Sequence, residues 1–397
     1  MHTHKTLIVG GGMAGIGCAK RLTELGEHDF LLVTKDIGGR VPCSEDGDVN
    51  YGAYYVRKDY THLLPYVRLK RRISISQYFI LPDKQVHHVV FDHIRHLPSL
   101  IRFLIFGYKV KRHYLRYKKR SEILSQKTAL EQDPLLLKLY TMPAAELVKT
   151  MHIEYWAEHY FNPLTRFTTF LNVEEITALY FIGCLAPIFI GTYEFHLMKE
   201  SLIQDFANKI LLDEVVRVQK DAGCWKLHMK SGKTLFAENV VIALPLDAAK
   251  KLVSIPEKIN PPVHVHMTHL RGTLRKEFSH RHYIMFPRKS DDIVLTREEN
   301  GSYLLYSHAP HSHFDRYFKS HEVIATRYWH PAFRIGPHLI EAERGDGLYL
   351  IGDYIFSCME DAFSTGIFAA QKIAGTVPEC ETQNRPVRTH RDAGNLR

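Results

Sequence analysis

A strand that runs straight into glycine constrains this chain more than any other feature. Leu7, Ile8 and Val9 form a continuous apolar run of the kind carried by a strand buried on both faces. Gly10-Gly11-Gly12-Met13-Ala14-Gly15 follows at once. Beyond it Ala14, Cys18, Leu22 and Leu25 recur at spacings of four, four and three, one face of a helix that Gly26 is placed to end. Phe30 to Val33 reads as a second strand, so the opening is a βαβ unit, which implies a parallel sheet covered by helices. Gly10, Gly12 and Gly15 satisfy G-x-G-x-x-G, with roles in the tight turn, close approach of a pyrophosphate and helix packing. Met13 and Ala14 open the helix whose positive end would face that anion. The unit is therefore read as dinucleotide-binding. An acidic residue for the ribose hydroxyls is expected about 20 residues on; the second strand ends instead in Thr34 and Lys35, with Asp36 beside them, so that contact is expected to be made differently.

Gly38-Gly39-Arg40 comes a few residues later. Two glycines allow a nest of backbone N–H groups, and an arginine can fork onto phosphate. G-x-G-x-x-G followed by Gly-Gly-Arg resembles the flavin-containing amine oxidase, protoporphyrinogen oxidase and phytoene desaturase superfamily. The resemblance implies non-covalently bound FAD, and Asn50-Tyr51-Gly52-Ala53 resembles that superfamily's segment beside the flavin ring. Near the C-terminus a buried strand to Ile351, a turn at Gly352-Asp353 and a helix from about Cys358 are legible. In the resemblance Asp353 binds the ribityl chain, and the helix start, with Asp361 and Ala362 in its first turn, faces the pyrimidine edge. Val215, a hairpin turn at Gly232 and the run from Val240 to Pro245 resemble the adenine-side strand and turn, with Val215 touching the adenine.

The expected architecture is α/β. A discontinuous Rossmann-type FAD-binding domain is assembled from 1–56, 197–254 and 340–380. An α+β substrate domain with a mixed sheet and a helical insertion takes 57–196 and 255–339, and 381–397 is a polar tail. The stretch 57–196 is basic, aromatic and read as largely helical. Strands are expected at Val263–His269, Tyr303–Tyr306 and Leu348–Ile351.

The superfamily oxidises amines, saturated carbon–carbon bonds, porphyrinogens or polyenes by passing hydride equivalents to the flavin. Gly352-Asp353-Tyr354 stands where amine oxidases tend to have Gly-Glu-x-Thr, which tilts the expectation toward the desaturase and protoporphyrinogen-oxidase branches. With an apolar roof over the flavin, the expected activity is an oxidoreductase of oxidase or desaturase type taking hydride from a hydrophobic small molecule. An amine oxidase is the alternative, and a redox-silent FAD scaffold at a membrane surface or an isomerase are others. In many amine oxidases a lysine near the flavin lies on a strand comparable to VHVHMTH here, making His264 and His266 the candidate catalytic groups. No third ligand accompanies them by spacing, so no metal is expected.

Six cysteines without paired spacing suggest a reducing compartment, and the glycine break after Val9 argues against a signal peptide. The uncharged run 176–193, broken by Gly183, Pro187 and Gly191, is read as a buried helix or cavity wall roofing the flavin, with a membrane span as the alternative. A net charge of +9 permits anionic partners without choosing one. Residues 96–120 join an apolar stretch to a dense basic one, which raises peripheral membrane contact on the cytoplasmic face; no nucleic acid is expected.

Overall fold

β1 (Thr3–Gly11) is buried from Thr6 onward and takes a parallel neighbour on each side, β2 (Phe30–Ile37) and β10 (Thr234–Ile242). The computed structural model describes residues 2–74, 77–81, 89–221, 223–279 and 281–376; the tail 381–397 lies outside them. Around β1 the first sheet runs β7 (Ile210–Leu212), β2, β1, β10, β9 (Cys224–Met229), β8 (Val215–Asp221), with β16 (Leu348–Leu350) parallel to β10. It is a parallel sheet extended by an antiparallel hairpin.

α1 (Met13–Glu24) and the last helix, α12 (Met359–Ile373), cross at backbone distance. A Cβ added to Gly366 would stand 2.1 Å from the Ala14 carbonyl oxygen and 2.4 Å from the Cys18 nitrogen, and one on Gly17 would meet the Phe363 carbonyl at 2.4 Å. Glycine on both helices permits the contact, and it fixes the start of α12 relative to the start of α1.

The second sheet runs β15 (Phe318–Arg334), β11 (Pro262–Leu274), β14 (Tyr303–Ser307), β13 (Asp292–Arg297), β12 (Tyr283–Met285), β5 (Tyr78–Ile80); only the β12–β5 pair is parallel, so the sheet is mixed. A third sheet, β3 (Tyr55–Arg57), β6 (Thr192–Leu197), β4 (Val67–Ile73), is antiparallel. Two strands, β4 and β5, and most of β6 thus lie within 57–196, where helix is expected. The basic run Arg68-Leu69-Lys70-Arg71-Arg72 hides the strand alternation of β4, whose register shifts between Leu69 and Arg72.

The helical layer begins with the 33-residue α2 (Val89–Ser121) and continues through α3 (Gln126–Glu131), α4 (Pro134–Thr141), α5 (Ala144–Met151), α6 (Glu154–Trp156) and α7 (Asn162–Thr169). The uncharged run becomes two short helices, α8 (Ala178–Cys184) and α9 (Ala186–Phe189), because Pro187 starts a new helix after the turn at Leu185. Among the described residues no helix is long and apolar enough to cross a membrane. Two short helices, α10 (Lys199–Ile203) and α11 (Leu246–Ala249), complete the set. The largest apolar core joins α2–α8 to one face of the second sheet through Phe103, Tyr117, Phe181, Val265 and Met267, all buried.

Candidate cofactor and substrate site

Each glycine of the first motif meets a different environment. Gly10 has φ +114°, and a Cβ there would lie 2.4 Å from the Ala243 carbonyl; one on Gly15 would lie 1.9 Å from the Gly10 carbonyl. These two are required by the fold itself. Gly12 is different: it has an ordinary backbone (φ −78°, ψ 179°), and a Cβ there would meet nothing within 4 Å. Gly12 is also the N-cap of α1, which has neither a side-chain cap nor an acid in its first turn. Open space at that glycine, in front of uncapped N–H groups, suits a pyrophosphate.

The Gly38-Gly39-Arg40 loop folds onto this opening. Gly38 N donates to the Gly11 carbonyl at 2.8 Å, and Gly39, at φ +58°, is so near that its Cβ would stand 3.0 Å from Gly12 Cα. Arg40 donates through Nη1 to the Ala332 carbonyl at 2.7 Å and through Nη2 to Asp353 Oδ1 at 2.5 Å. Asp353 raises the arginine's pKa further against the opposing effect of burial. Gly52 lies under the same loop, where a Cβ would meet the Arg40 carbonyl at 2.0 Å. Gly12 therefore touches Gly39, and the next residue, Arg40, pairs with Asp353, from which the chain runs five residues on to Cys358, the N-cap of α12.

Thr34 is buried, and its hydroxyl is engaged within the chain: it accepts from Gly11 N at 2.9 Å and donates to the Asp36 carbonyl at 2.6 Å. Asp213 N donates to the Thr34 carbonyl at 2.9 Å, and Lys35 pairs with Glu214 at 2.7 Å. Thr34, Lys35 and Val215 thus meet at one end of the first sheet. Met13, Ala14 and Ala362 are buried between α1 and α12.

At the start of α12 lies a cavity of about 140 Å³. Its wall is apolar, with Val110 of α2, Leu179 and Ile182 of α8, Phe189 of α9, Phe333 and Phe356. The uncharged run thus forms a cavity wall. The polar groups of the lining include Asp361, Cys358, Tyr114, Arg57 and Lys111, with the hydroxyl-bearing Tyr55, Thr168, Thr169, Tyr180 and Ser357 beside them. Asp361 Oδ2 accepts from the Tyr114 hydroxyl at 2.5 Å and the Cys358 thiol at 2.6 Å, while Oδ1 is buried without a partner. Burial carries the Asp361 carboxyl above the ordinary aspartate range, opposed chiefly by Lys118. Burial, reinforced by Asp361, also pushes the Cys358 thiol up, so it is not a thiolate at neutral pH. Arg57 is held by Asp59 through two bonds of 2.9 Å, and Lys111 Nζ donates to the Phe189 carbonyl at 3.1 Å.

A profile of the NAD(P)-binding Rossmann-like domain matches residues 8–68. No curated protein matches the chain significantly in sequence. Among solved structures it is similar to a CLA-producing fatty acid isomerase from P. acnes (13% identity, TM-score 0.69, 93% of this chain and 98% of that one). It is also similar to putrescine oxidase bound to putrescine (10%, 0.65, 95% and 99%) and to cyclohexylamine oxidase from Brevibacterium oxydans IH-35A (14%, 0.59, 95% and 99%). The chain shares the fold of these proteins.

Within that fold, His264 and His266 do not line the cavity. His264 stacks on His330 with centroids 4.2 Å apart, and His266 on Tyr328 at 4.4 Å, while the alternating Val265 and Met267 belong to the buried core. The buried histidine of the strand is His269, which sequence alternation passes over. Its Nδ1 lies 3.0 Å from the hydroxyl of Tyr51 and its Nε2 2.8 Å from the Ser302 hydroxyl, which in turn donates to Asn300 at 2.6 Å. Because the Ser302 hydroxyl donates to Asn300, Nε2 of the ring is the donor to Ser302. Burial, with Arg271 adding to it and Asp46 opposing, lowers the pKa of the ring and favours its neutral form, in which Nδ1 accepts from Tyr51. Trp329 Nε1 donates to the Tyr51 carbonyl at 3.2 Å. The segment at Tyr51 is thereby tied to both β11 and β15. His2, His4 and Asp29 bring three potential metal-ligating atoms together at the exposed start of the first sheet, away from this site.

Proposed function

We propose that this chain is an FAD-dependent oxidoreductase that removes hydride from a hydrophobic small molecule. The observation that carries the reading is the open face of Gly12 at the uncapped start of α1, with the Gly38-Gly39-Arg40 loop folded onto it and Arg40 paired to Asp353 in the segment that leads to the apolar cavity at the start of α12. Gly10, Gly12 and Gly15 with the α1 N-terminus would seat the pyrophosphate, Gly39 and Arg40 would close on its other side, and Asp353 would hold the ribityl chain. Gly52 and Ala53 would flank the ring, Val215 and the Thr34–Lys35 turn the adenosine end, and Asp361 and Ala362 the pyrimidine end. Bound FAD supplies a hydride acceptor, and binding is non-covalent in this reading.

The protein's own part is exclusion of water and orientation. Val110, Leu179, Ile182, Phe189, Phe333 and Phe356 offer apolar contact without a directional partner, which suits a neutral carbon skeleton. Two cations, Arg57 and Lys111, line the cavity, and the one carboxyl, Asp361, is pushed toward its protonated form. With Arg57 already neutralised by Asp59, Lys111 is the cation that opposes a protonated amine, which would also lose its hydration here, and this favours neutral or anionic apolar substrates over amines.

The test is the visible spectrum of the chain purified without added cofactor. Chromatography of what heat releases and anaerobic bleaching by a panel of substrates complete it. An oxidised-flavin spectrum, released FAD and bleaching by apolar neutral compounds are expected. A colourless protein that also fails to take up FAD overturns the cofactor reading, and bleaching by amines alone overturns the substrate class.

A further inference from the structure

We infer that α2 is a docking element for an anionic lipid surface. One face of this helix, Gly107, Val110, Lys111 and Tyr114, lines the cavity. A different face carries Ile94, Leu97, Ile101, Ile105 and Tyr108, spaced three, four, four and three residues apart, which is a single stripe on a helix. These side chains expose between 44 and 68% of their surface. Five of the thirteen exposed large apolar side chains among the described residues therefore stand in one row, about 21 Å long at the helical rise. Scattered exposed apolar residues are ordinary; a row on one long helix is a contact surface.

The charges beside the row identify what covers it. Arg95, Arg102, Lys109 and Arg116 recur every seven residues along one flank, and Arg112 and Lys119 continue the row itself toward the C-terminal end. All six are exposed, none forms an ion pair with an acid among the described residues, and positions 93–121 contain no aspartate or glutamate. A second copy of the chain would bring an equally cationic flank against this one, so self-association is opposed by charge. An apolar row beside unpaired cations is complementary to a layer with anionic headgroups over acyl chains. α2 then lies along that layer, with its cavity-lining face turned inward.

The test is co-sedimentation of the full chain with vesicles of equal parts phosphatidylcholine and phosphatidylglycerol, against phosphatidylcholine alone. Binding to the mixed vesicles, weakened by salt and absent on the neutral ones, is expected. Combining Arg95→Glu, Arg102→Glu and Lys109→Glu should weaken binding by about a hundredfold or more, at roughly fivefold per cation removed. Ile101→Ser with Ile105→Ser should weaken it by about tenfold or more through lost apolar insertion. Both variants alter only exposed positions and should keep the thermal melt and flavin content of the parent. Three results overturn the inference: no sedimentation with either vesicle, undiminished binding by the double serine variant, or a lipid-free dimer that Ile105→Ser dissolves. Vesicle binding and flavin content are separate readouts, so failure of either reading is recognisable without the other.

Discussion

Replacing Gly12 by alanine separates what the first motif does for the fold from what it does for a ligand. At φ −78° and ψ 179° alanine adopts the Gly12 backbone without strain, and its methyl group would meet nothing within 4 Å. The only structural loss is a somewhat poorer N-cap, so stability should change by less than about 1 kcal/mol. In the holoprotein the same methyl would occupy the space into which the pyrophosphate must come to reach the N–H groups of α1. Losing two charge-assisted hydrogen bonds at about 1.5 kcal/mol each weakens binding by roughly a hundredfold. Gly15→Ala is the opposite case: its methyl would lie 1.9 Å from a backbone oxygen, so it should cost stability outright, by about 1–3 kcal/mol or more. The assay pairs a thermal or urea melt with an FAD titration followed by flavin fluorescence. If Gly12→Ala binds FAD within threefold of the parent, or melts as low as Gly15→Ala, the reasoning from open space to ligand seat is wrong.

The crossing of the two site helices should be intolerant in the same way. Gly366→Ala, with its methyl 2.1 Å from the Ala14 carbonyl, is expected to lower stability by about 1–3 kcal/mol in a urea melt, and an unchanged midpoint would refute the close packing. Arg40→Met removes the partner of Asp353 and should lower FAD retention more than Asp353→Asn does, because it also leaves a carboxylate uncompensated; equal retention would argue against the ion pair. Glu298 gives a pH signature. Burial, with the charge of Glu194 adding to it, raises this carboxyl from 4.5 to about 7. The folded state therefore holds the proton where the unfolded state has released it, and stability falls as pH rises from about 4.5 to 7. Glu298→Gln should leave stability at pH 4 unchanged and raise it at pH 8, by no more than about 2 kcal/mol after solvent screening, and equal melting points at pH 8 would refute the assignment.

The parts of the site that could be read from sequence are those whose constraint is local. A glycine at φ +114° followed by a helix start leaves its mark within six residues, and Gly10 to Gly15 could be placed without any tertiary information. Arg40 and Asp353 were nameable only by resemblance, since 313 residues separate them and no pattern in the chain announces that they touch. His269 shows where period-two reasoning ends. Through Val263–Met267 burial alternates, which sets His264 and His266 on the open face. From Thr268 to Leu270 every residue is buried because both faces of β11 are covered there, and a register shift against β15 falls between His269 and Leu270. Once both faces are dry, alternation carries no information about which side chain meets Tyr51. β4 is hidden for another reason: its cations satisfy partners outside the strand, Arg71 reaching Glu194 at 2.6 Å, and a basic run of that kind reads as a solvated helix until the acid is found.

The start of α12 combines features that separately argue for opposite chemistry. A helix N-terminus favours negative charge, yet both acids of its first turn are buried and differently employed. Glu360 is consumed by the fold: its carboxylate accepts from the backbone of Thr61, His62 and Leu63 and pairs with Lys118 at 3.4 Å. Asp361 is not, because one oxygen takes the Tyr114 hydroxyl and the Cys358 thiol while the other faces no donor. A buried carboxyl oxygen left unpaired beside an apolar cavity is costly unless the group is protonated or a bound molecule supplies the donor. The raised pKa of Asp361 and the open wall beside it meet both conditions, which makes this residue the point where cofactor and substrate binding would first be felt. Asp361→Asn keeps the shape and removes the titration. If bound flavin responds to pH through this carboxyl, the variant should lose that response while Tyr114→Phe only shifts it. Identical pH profiles of flavin absorbance in all three proteins would show that Asp361 serves packing alone.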